Sequence, residues 1–351
     1  MLDLPPGDAD HRGIKVMNAI VAVVVGICAV FLLGLAVALY LAATPPPPIF
    51  EPKDVFDFTS LRMGPAEIPP PSLRRYAARD GEELAYRIYE STSDRILIFV
   101  HGSSYHGAGY HALAAALSLG GPAKVVLPNM RGHYQSGRHR GDVEYIGQME
   151  DDMADLIRHL REQRLNGPIT LGGHSSGGGF AIRFAGGGQA APISSYLLLA
   201  PAIPTSPAMR QGTAGGWASL NFRRIYGLLA LNTIGIHGFN GLPVIEFNKP
   251  TKFWDGTETL SYSYRLNVSY HPHYRYQDDI RSLGGPTLVM IGAHDEAIDP
   301  GALRGLFTAS APNAQMTVVP GLNHFGIFNT PEVWETIAAW LKALPPAATA
   351  K

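Results

Sequence analysis

The chain has 351 residues, 46% of them hydrophobic and 16% charged, which suits one large α/β domain together with a membrane segment. The formal net charge is -1 and no basic run is interleaved with aromatic residues, so nucleic-acid binding is excluded. Cys28 is the single cysteine, which excludes an intrachain disulfide, a catalytic thiol in the soluble part and a cysteine-based zinc site.

The first element is an apolar stretch that follows an N-terminal tail at residues 1–15. Residues 16–43 carry no charge and include AIVAVVVGICAVFLLGLAVALYLAA. A helix that crosses a bilayer needs about 20 apolar residues, whereas a signal-peptide core has about 7–15. The length therefore favours a single-pass membrane helix, with a cleaved signal peptide as the alternative. His11, Arg12 and Lys15 precede the stretch, so we expect the rest of the chain outside the cytoplasm.

A proline-rich segment follows at residues 44–71 and contains TPPPP and PPP. Proline runs favour the extended polyproline conformation, which is semi-rigid. The segment is therefore predicted to be a spacer between the membrane helix and a folded domain.

From residue 72 onward, short β-rich runs alternate with longer helical patterns. The inner runs ILIFV, KVVL and TLVMI are almost continuously apolar, as parallel strands covered by helices on both faces require. The first two strands alternate more and favour an antiparallel edge hairpin around Asp80 and Gly81. We predict strands at residues 73–79, 83–89, 95–100, 124–127, 169–172, 195–199, 287–291 and 315–319. Helices are predicted at residues 111–119, 145–165, 178–185, 300–308 and 331–344.

Residues 204–280 interrupt this alternation and are rich in glycine and tyrosine. Loops of this length are usually functional or carry their own structure. We predict a cap inserted between two parts of an α/β core, residues 72–203 and 281–351. The apolar stretch 223–247 of the cap either packs on the mouth of the site or touches the bilayer.

One glycine-rich turn carries a candidate nucleophile. Gly173-His174-Ser175-Ser176-Gly177 matches G-x-S-x-G and lies between the strand run PITLGG and the helical run GGGFAIRFA. The turn is so tight that glycine is needed two residues before and two residues after the nucleophile. Only Ser175 meets this condition, because His174 would precede Ser176 at that spacing. The alternative, a phosphate cradle at a helix N-terminus, lacks the Gly-Lys-Ser/Thr pattern.

A serine hydroxyl needs a base, and the base needs a carboxylate. His324 lies in VVPGLNHFGIF, directly after the last predicted strand. The stretch TLVMIGAHDEAIDP offers Asp295, Glu296 and Asp299 beyond a buried strand. We assign Asp295 to the triad because it is closest to the strand end. Asp299 precedes Pro300 and is predicted to cap a helix.

The negative charge that develops on an attacked carbonyl oxygen requires hydrogen-bond donors. The buried run ILIFV ends at His101 and Gly102, where the chain turns. The backbone amides of Ser103 and Ser176 are the predicted pair of donors. His101 is predicted to be a structural hydrogen-bonding residue.

Five motifs, FVHGSS, NMRGHYQSG, GGHSSGGG, IGAHDEAID and GLNHFGIF, occur in an order that resembles the α/β-hydrolase superfamily. The closest resemblance is to its branch of lysophospholipases, monoglyceride lipases and serine aminopeptidases. The resemblance implies an α/β-hydrolase fold, a mostly parallel eight-stranded sheet flanked by helices with an inserted cap. Asn129 departs from the family, which commonly has Asp before Arg-Gly-His, and we expect an effect on loop packing rather than on chemistry.

The expected function is a membrane-anchored serine hydrolase that cleaves carboxylic esters through an acyl-enzyme on Ser175. The expected partners are a small-molecule or lipid ester, with lysophospholipids and monoacylglycerols as candidates, and the membrane. No cofactor is expected. A metal site is not expected either, because residues 101, 106 and 111 have no regular helical spacing. His271 and His273 straddle a proline without nearby carboxylates.

Two alternatives remain open from the sequence. A serine aminopeptidase or amidase needs an acidic group for the amine of its substrate, and the cap offers Glu246, Asp255 and Glu258. A non-catalytic hydrolase-like module would bind a ligand or partner at the membrane. No feature of the sequence predicts an oligomeric state.

Overall fold

The structure is a computed structural model that describes residues 8–46, 56–58, 68–188, 192–210 and 216–345, with the side chains of residues 8–12 left out. The predicted tail at 1–15 and the predicted spacer at 44–71 therefore lie partly outside the described residues. The chain forms two compact units. The first contains Met1–Pro45 and Asn221–Phe239, and the second contains Pro46–Leu220 and Asn240–Lys351.

The helices in chain order are α1 (Asp8–Ala42), α2 (His111–Leu119), α3 (Gln148–Glu162), α4 (Ser176–Gly186), α5 (Phe222–Thr233), α6 (Tyr264–Ser269), α7 (Tyr276–Arg281), α8 (Pro300–Ser310), α9 (Gly326–Asn329) and α10 (Pro331–Ala343). The strands are β1 (Arg74–Ala77), β2 (Glu83–Tyr89), β3 (Ile96–Val100), β4 (Lys124–Pro128), β5 (Ile169–His174), β6 (Ile193–Leu199), β7 (Ala218–Leu220), β8 (Pro243–Phe247), β9 (Ser261–Ser263), β10 (Thr287–Gly292) and β11 (Gln315–Val319).

The first unit is built from α1 and α5. Helix α1 covers nearly all of the predicted membrane span and begins earlier, at Asp8, and its residues 13–42 are long and apolar enough to cross a membrane. Near its end Gly227 of α5 lies so close that an added Cβ would be 2.5 Å from the amide nitrogen of Ala42. Arg224 donates to the carbonyl of Ala42 at 3.0 Å and to that of Thr44. Glycine and buried hydrogen bonds therefore hold the two helices together.

The second unit contains an eight-stranded sheet in the order β1-β2-β4-β3-β5-β6-β10-β11. Strand β2 pairs antiparallel with β1 and β4, whereas the remaining neighbours are parallel. The predicted edge hairpin is confirmed, and Gly81 adopts the left-handed conformation that its turn requires, with φ 81°. The inner strands β3, β5 and β10 are buried along their whole length. All eight strands predicted from the sequence belong to this sheet, which confirms the predicted fold class.

A smaller antiparallel sheet with the order β7-β8-β9 lies within the predicted cap interval. No strand was predicted from the sequence in this interval. Its strands have only three to five residues. Runs this short carry too little alternation to be recognised from pattern alone. The boundaries of the cap stay a prediction.

Two boundaries next to the candidate nucleophile differ from the sequence prediction. Strand β5 extends to His174 rather than to residue 172, and α4 begins at Ser176 rather than at residue 178. The turn between them is one residue long. The flanking glycines, which in the sequence suggest a loop, therefore belong to the strand and to the helix. Helix α3 begins later than predicted because Gly147 has φ 102°, which no helix can contain.

Candidate active site

Ser175 occupies the one-residue turn between β5 and α4. Its backbone angles are φ 54° and ψ -121°, a conformation that costs a non-glycine residue about 1–3 kcal/mol. An added Cβ at Gly173 would lie 2.4 Å from the backbone carbon and oxygen of Gly177, and one at Gly177 would lie 2.2 Å from the oxygen of Val100. Glycine at both positions therefore permits the turn, and the turn lifts the Ser175 hydroxyl out of the sheet edge.

His324 and Asp295 form a buried pair in the loops after β11 and β10. His324 Nδ1 donates to Asp295 Oδ2 at 2.7 Å, and the two residues are 2% and 1% exposed. The other carboxylate oxygen of Asp295 accepts the amides of Ala297 and Ile298 at 2.9 and 2.8 Å. Glu296 accepts the His324 amide at 2.9 Å. These contacts fix the imidazole with its proton on Nδ1 and leave Nε2 as the basic nitrogen.

Ser175 and His324 line one cavity. Within the described part of the chain no hydrogen bond joins the Ser175 hydroxyl to the imidazole of His324. Such bonds are often long or unmade without substrate and tighten in the Michaelis complex. The structure thus places Ser175, His324 and Asp295 in one region. The hydrogen bond between the serine and the histidine is not formed among the described residues.

His174, the residue between Gly173 and the nucleophile, has a role that sequence reasoning missed. Its Nε2 donates to the carbonyl of His324 at 2.9 Å, and its Nδ1 accepts from the hydroxyl of Tyr110 at 2.9 Å. That hydroxyl in turn accepts the amide of Gly102 at 2.9 Å. Burial and the neighbouring His324 lower the pKa of His174 well below its ordinary value, so it stays neutral. His174 therefore links the nucleophile turn, the base and the end of β3.

The predicted oxyanion donors, Ser103 and Ser176, also contact each other through their side chains. Their hydroxyl oxygens are 2.5 Å apart, and the Ser176 hydroxyl lies 3.3 Å from His271 Nε2. His271 Nδ1 donates to the carbonyl of Asn267 at 2.7 Å, so its Nε2 is the acceptor. Burial lowers the pKa of His271 to about 4. These side-chain contacts link the turn after β3, which carries the Ser103 amide, to the nucleophile turn, which carries the Ser176 amide. Among described residues neither amide donates to another group.

Aromatic side chains make up most of the cavity wall. The described lining residues include Phe56, Tyr105, Trp217, Phe325 and Phe328, and none of the described ones carries an acidic or permanently charged side chain. The free volume is about 10 Å³, close to the least that holds one water molecule. Sequence reasoning missed Phe56 and Trp217 because their neighbours in the chain carry no catalytic motif.

Other residues singled out in the sequence have structural partners. Asp299 accepts the amide of Ala302 at 2.8 Å and caps α8. His101 accepts the amide of Met130 at 3.1 Å and is buried, which lowers its pKa well below the ordinary value. In the described residues no group of three or more His, Cys, Asp or Glu side chains has metal-binding geometry.

Asn129, the departure from the family pattern, joins two loops. Its side-chain oxygen accepts the amide of Gly107 at 2.9 Å and its side-chain amide donates to the carbonyl of Tyr134 at 2.7 Å. An aspartate could accept the first bond but could not donate the second. The amide at this position therefore serves local packing.

Comparison with known proteins adds independent information. The family described as "Serine aminopeptidase, S33" matches residues 91–235. A non-heme haloperoxidase of Rhodococcus erythropolis is 24% identical over 260 residues, which cover 70% of this chain and 91% of that protein. Human monoglyceride lipase is 29% identical over 151 residues, which cover 42% of this chain and 49% of the lipase, about half its length.

Solved structures share the fold. A membrane phospholipase A, described as a bacterial virulence factor, superimposes with a TM-score of 0.55 at 14% identity. The match covers 95% of this chain and 99% of that protein. At this identity the likeness shows the fold alone.

Proposed function

We propose that this chain, which has the α/β-hydrolase fold and resembles the monoglyceride lipase and serine aminopeptidase branch of that superfamily, is a membrane-anchored serine hydrolase that cleaves carboxylic esters. Ser175 is the nucleophile, His324 the general base and acid, and Asp295 the residue that orients the imidazole. A small-molecule or lipid-derived ester is the substrate, in keeping with the lipase and phospholipase names of the related proteins.

The proposed reaction has two halves. In the first half His324 Nε2 takes the proton of the Ser175 hydroxyl as its oxygen attacks the ester carbonyl. The amides of Ser103 and Ser176 bind the negative oxygen, and His324 returns the proton to the leaving alcohol. In the second half His324 takes a proton from a water molecule as the water oxygen attacks the acyl carbonyl, and it returns that proton to the Ser175 oxygen as the acid leaves.

The observation that carries the proposal is the buried bond of 2.7 Å from His324 Nδ1 to Asp295 beside the cavity that holds Ser175. Asp295 stabilises the imidazolium that forms when His324 is protonated, and it keeps Nε2 free to accept the proton. A residue pair used only for packing has no need to place this imidazole in a cavity that is also lined by a serine in a strained turn.

The test is covalent labelling of the full-length protein by a fluorophosphonate, with wild type compared with Ser175→Ala. Ser176→Ala is the matched control, because Ser176 acts through its backbone amide and the variant keeps that amide. We expect labelling of wild type and of Ser176→Ala, and no labelling of Ser175→Ala. Labelling that survives in Ser175→Ala, or a folded wild type that does not react, would overturn the proposal.

Esters are favoured over peptides by the surroundings of the acidic cap residues. Glu258 accepts from Lys249 at 2.7 Å, Glu246 from Ser261 at 2.6 Å, and Asp255 from the side chain of Thr257 at 2.6 Å. None of the three acids lines the cavity that holds Ser175. A substrate amine at that site would therefore meet none of these three carboxylates, and we expect p-nitrophenyl esters to be cleaved and amino-acid p-nitroanilides to remain intact.

Membrane anchoring is supported by the first unit. Side chains of α1 between residues 13 and 37 are almost all exposed and apolar, and a soluble protein rarely leaves such a surface open to water. On α5, Phe222, Tyr226 and Leu229 are also exposed, at a spacing that puts them on one side of the helix. We expect the full-length chain to stay with the membrane pellet after alkaline carbonate extraction, and its release into the supernatant would refute the anchor.

A further inference from the structure

Phe56 covers the proposed base. Its ring stacks on the imidazole of His324, with ring centres 5.0 Å apart and planes 16° from parallel. Phe56 is 4% exposed although it belongs to the segment between α1 and β1, which the sequence predicts to be a spacer. A spacer residue has no reason to be buried against a catalytic side chain.

Several aromatic rings hold Phe56 and its neighbour Phe58 in place, and of the two only Phe56 lines the cavity. Phe56 also contacts Trp217 and Phe325, with ring centres 5.4 and 5.0 Å away. Phe58, which is equally buried, contacts Trp217 at 5.6 Å and stacks on Phe253 at 5.3 Å. Each such pair adds to the stability of the closed arrangement.

In this arrangement an ester cannot react. Its carbonyl carbon must lie about 3 Å from the Ser175 hydroxyl, with the leaving oxygen within reach of His324 Nε2. The cavity beside these atoms has a volume of about 10 Å³, which is room for one water molecule rather than for an acyl group. The space that a substrate needs is therefore taken by a side chain of the protein itself.

We propose that Phe56 is a tethered competitor of the substrate, which occupies the acyl site of the hydrolase and leaves it when an ester with an apolar acyl or aryl group enters. The walls of the site determine this class of substrate. They are aromatic and carry no permanent charge, so they favour an apolar group and disfavour a charged one. This inference rests on the proposed function, because it assumes that Ser175 and His324 react.

The experiment compares second-order rate constants for labelling of the full-length protein by a short-chain fluorophosphonate. The variants are Phe56→Ala, Phe56→Leu and Phe58→Ala. Tyr274→Ala is the control, since Tyr274 is 88% exposed and does not line the cavity. We expect Phe56→Ala to react at least tenfold faster than wild type, and Phe58→Ala to react at a rate between those of wild type and Phe56→Ala. Tyr274→Ala should match wild type.

Phe56→Leu keeps an apolar side chain that folds into the same cavity but cannot stack on an imidazole. It should also react faster than wild type, which tests the idea even if Phe56→Ala folds poorly. Equal rate constants for wild type and both Phe56 variants would overturn the competitor role and leave the proposed function intact.

The double variant Ser175→Ala, Phe56→Ala distinguishes a failure of the proposed function from a failure of the competitor role of Phe56. Labelling of this double variant would overturn the proposed function, because another group would then be the nucleophile. A second readout is the ester chain-length profile, in which Phe56→Ala should lower KM most for the esters with the longest acyl groups.

Discussion

Gly177→Ala gives a direct measure of how tightly the nucleophile turn is packed. Gly177 is in the first turn of α4, where alanine is the better helix former by about 1 kcal/mol. An added Cβ would, however, lie 2.2 Å from the carbonyl oxygen of Val100 and 2.5 Å from that of His101. Both neighbours are backbone atoms at the end of a central strand, so neither can move without shifting the sheet.

Overpacking of this kind costs about 1–3 kcal/mol, against a gain of about 1 kcal/mol in helix propensity. We therefore expect the free energy of unfolding to fall by up to about 2 kcal/mol, and the apparent Tm by a few degrees. The displaced turn also moves Ser175 away from the amide of Ser103, and fluorophosphonate labelling should slow by at least tenfold at a temperature where the variant is folded.

The matched control is Gly305→Ala in α8. An added Cβ at Gly305 meets no atom within 4 Å, and the residue lies inside its helix. At this position alanine brings the gain in helix propensity without a steric clash. The apparent Tm should therefore rise, and labelling should match wild type. Thermal unfolding in detergent solution checks both variants. A Gly177→Ala protein that is as stable and as reactive as Gly305→Ala would refute the close approach of β3 to α4.

Three further outcomes are expected. Asp295→Asn should lower kcat by about 10⁴-fold, because an amide at this position favours the wrong tautomer of His324, and steady-state ester hydrolysis measures it. A decrease of less than tenfold would contradict the assignment. Burial lowers the pKa of both His133 and His271 to about 4. Unfolded histidine titrates near pH 6.5, so the unfolded chain binds more protons between pH 6.5 and 4, and the free energy of unfolding should decrease as the pH falls through that range. A midpoint of urea unfolding that stays constant over this pH range would contradict this prediction. In the Lys342→Cys variant of a chain with Cys28 replaced by serine, a membrane-impermeant maleimide should label intact cells if the hydrolase lies outside the cytoplasm, and labelling only after lysis would reverse the orientation.

The sequence alone determines those parts of the molecule that depend on local patterns. The strands are short apolar runs bounded by turn residues, and all eight strands of the large sheet were predicted from them. The G-x-S-x-G turn is likewise local, because glycines two residues on either side of Ser175 are a requirement of the turn itself. The helix cap at Asp299 follows from a proline at the next position.

Only the tertiary structure decides which distant side chains share the site. His271 looks like any cap residue in the sequence, yet it lies 3.3 Å from the Ser176 hydroxyl. Phe56 looks like part of a proline-rich spacer, yet it stacks on His324. Trp217 lies beside Phe56, and no motif in the surrounding sequence indicates that it does. These contacts join residues far apart in the chain, and their free energy comes from the burial of side chains that only the folded chain brings together, which no local pattern encodes.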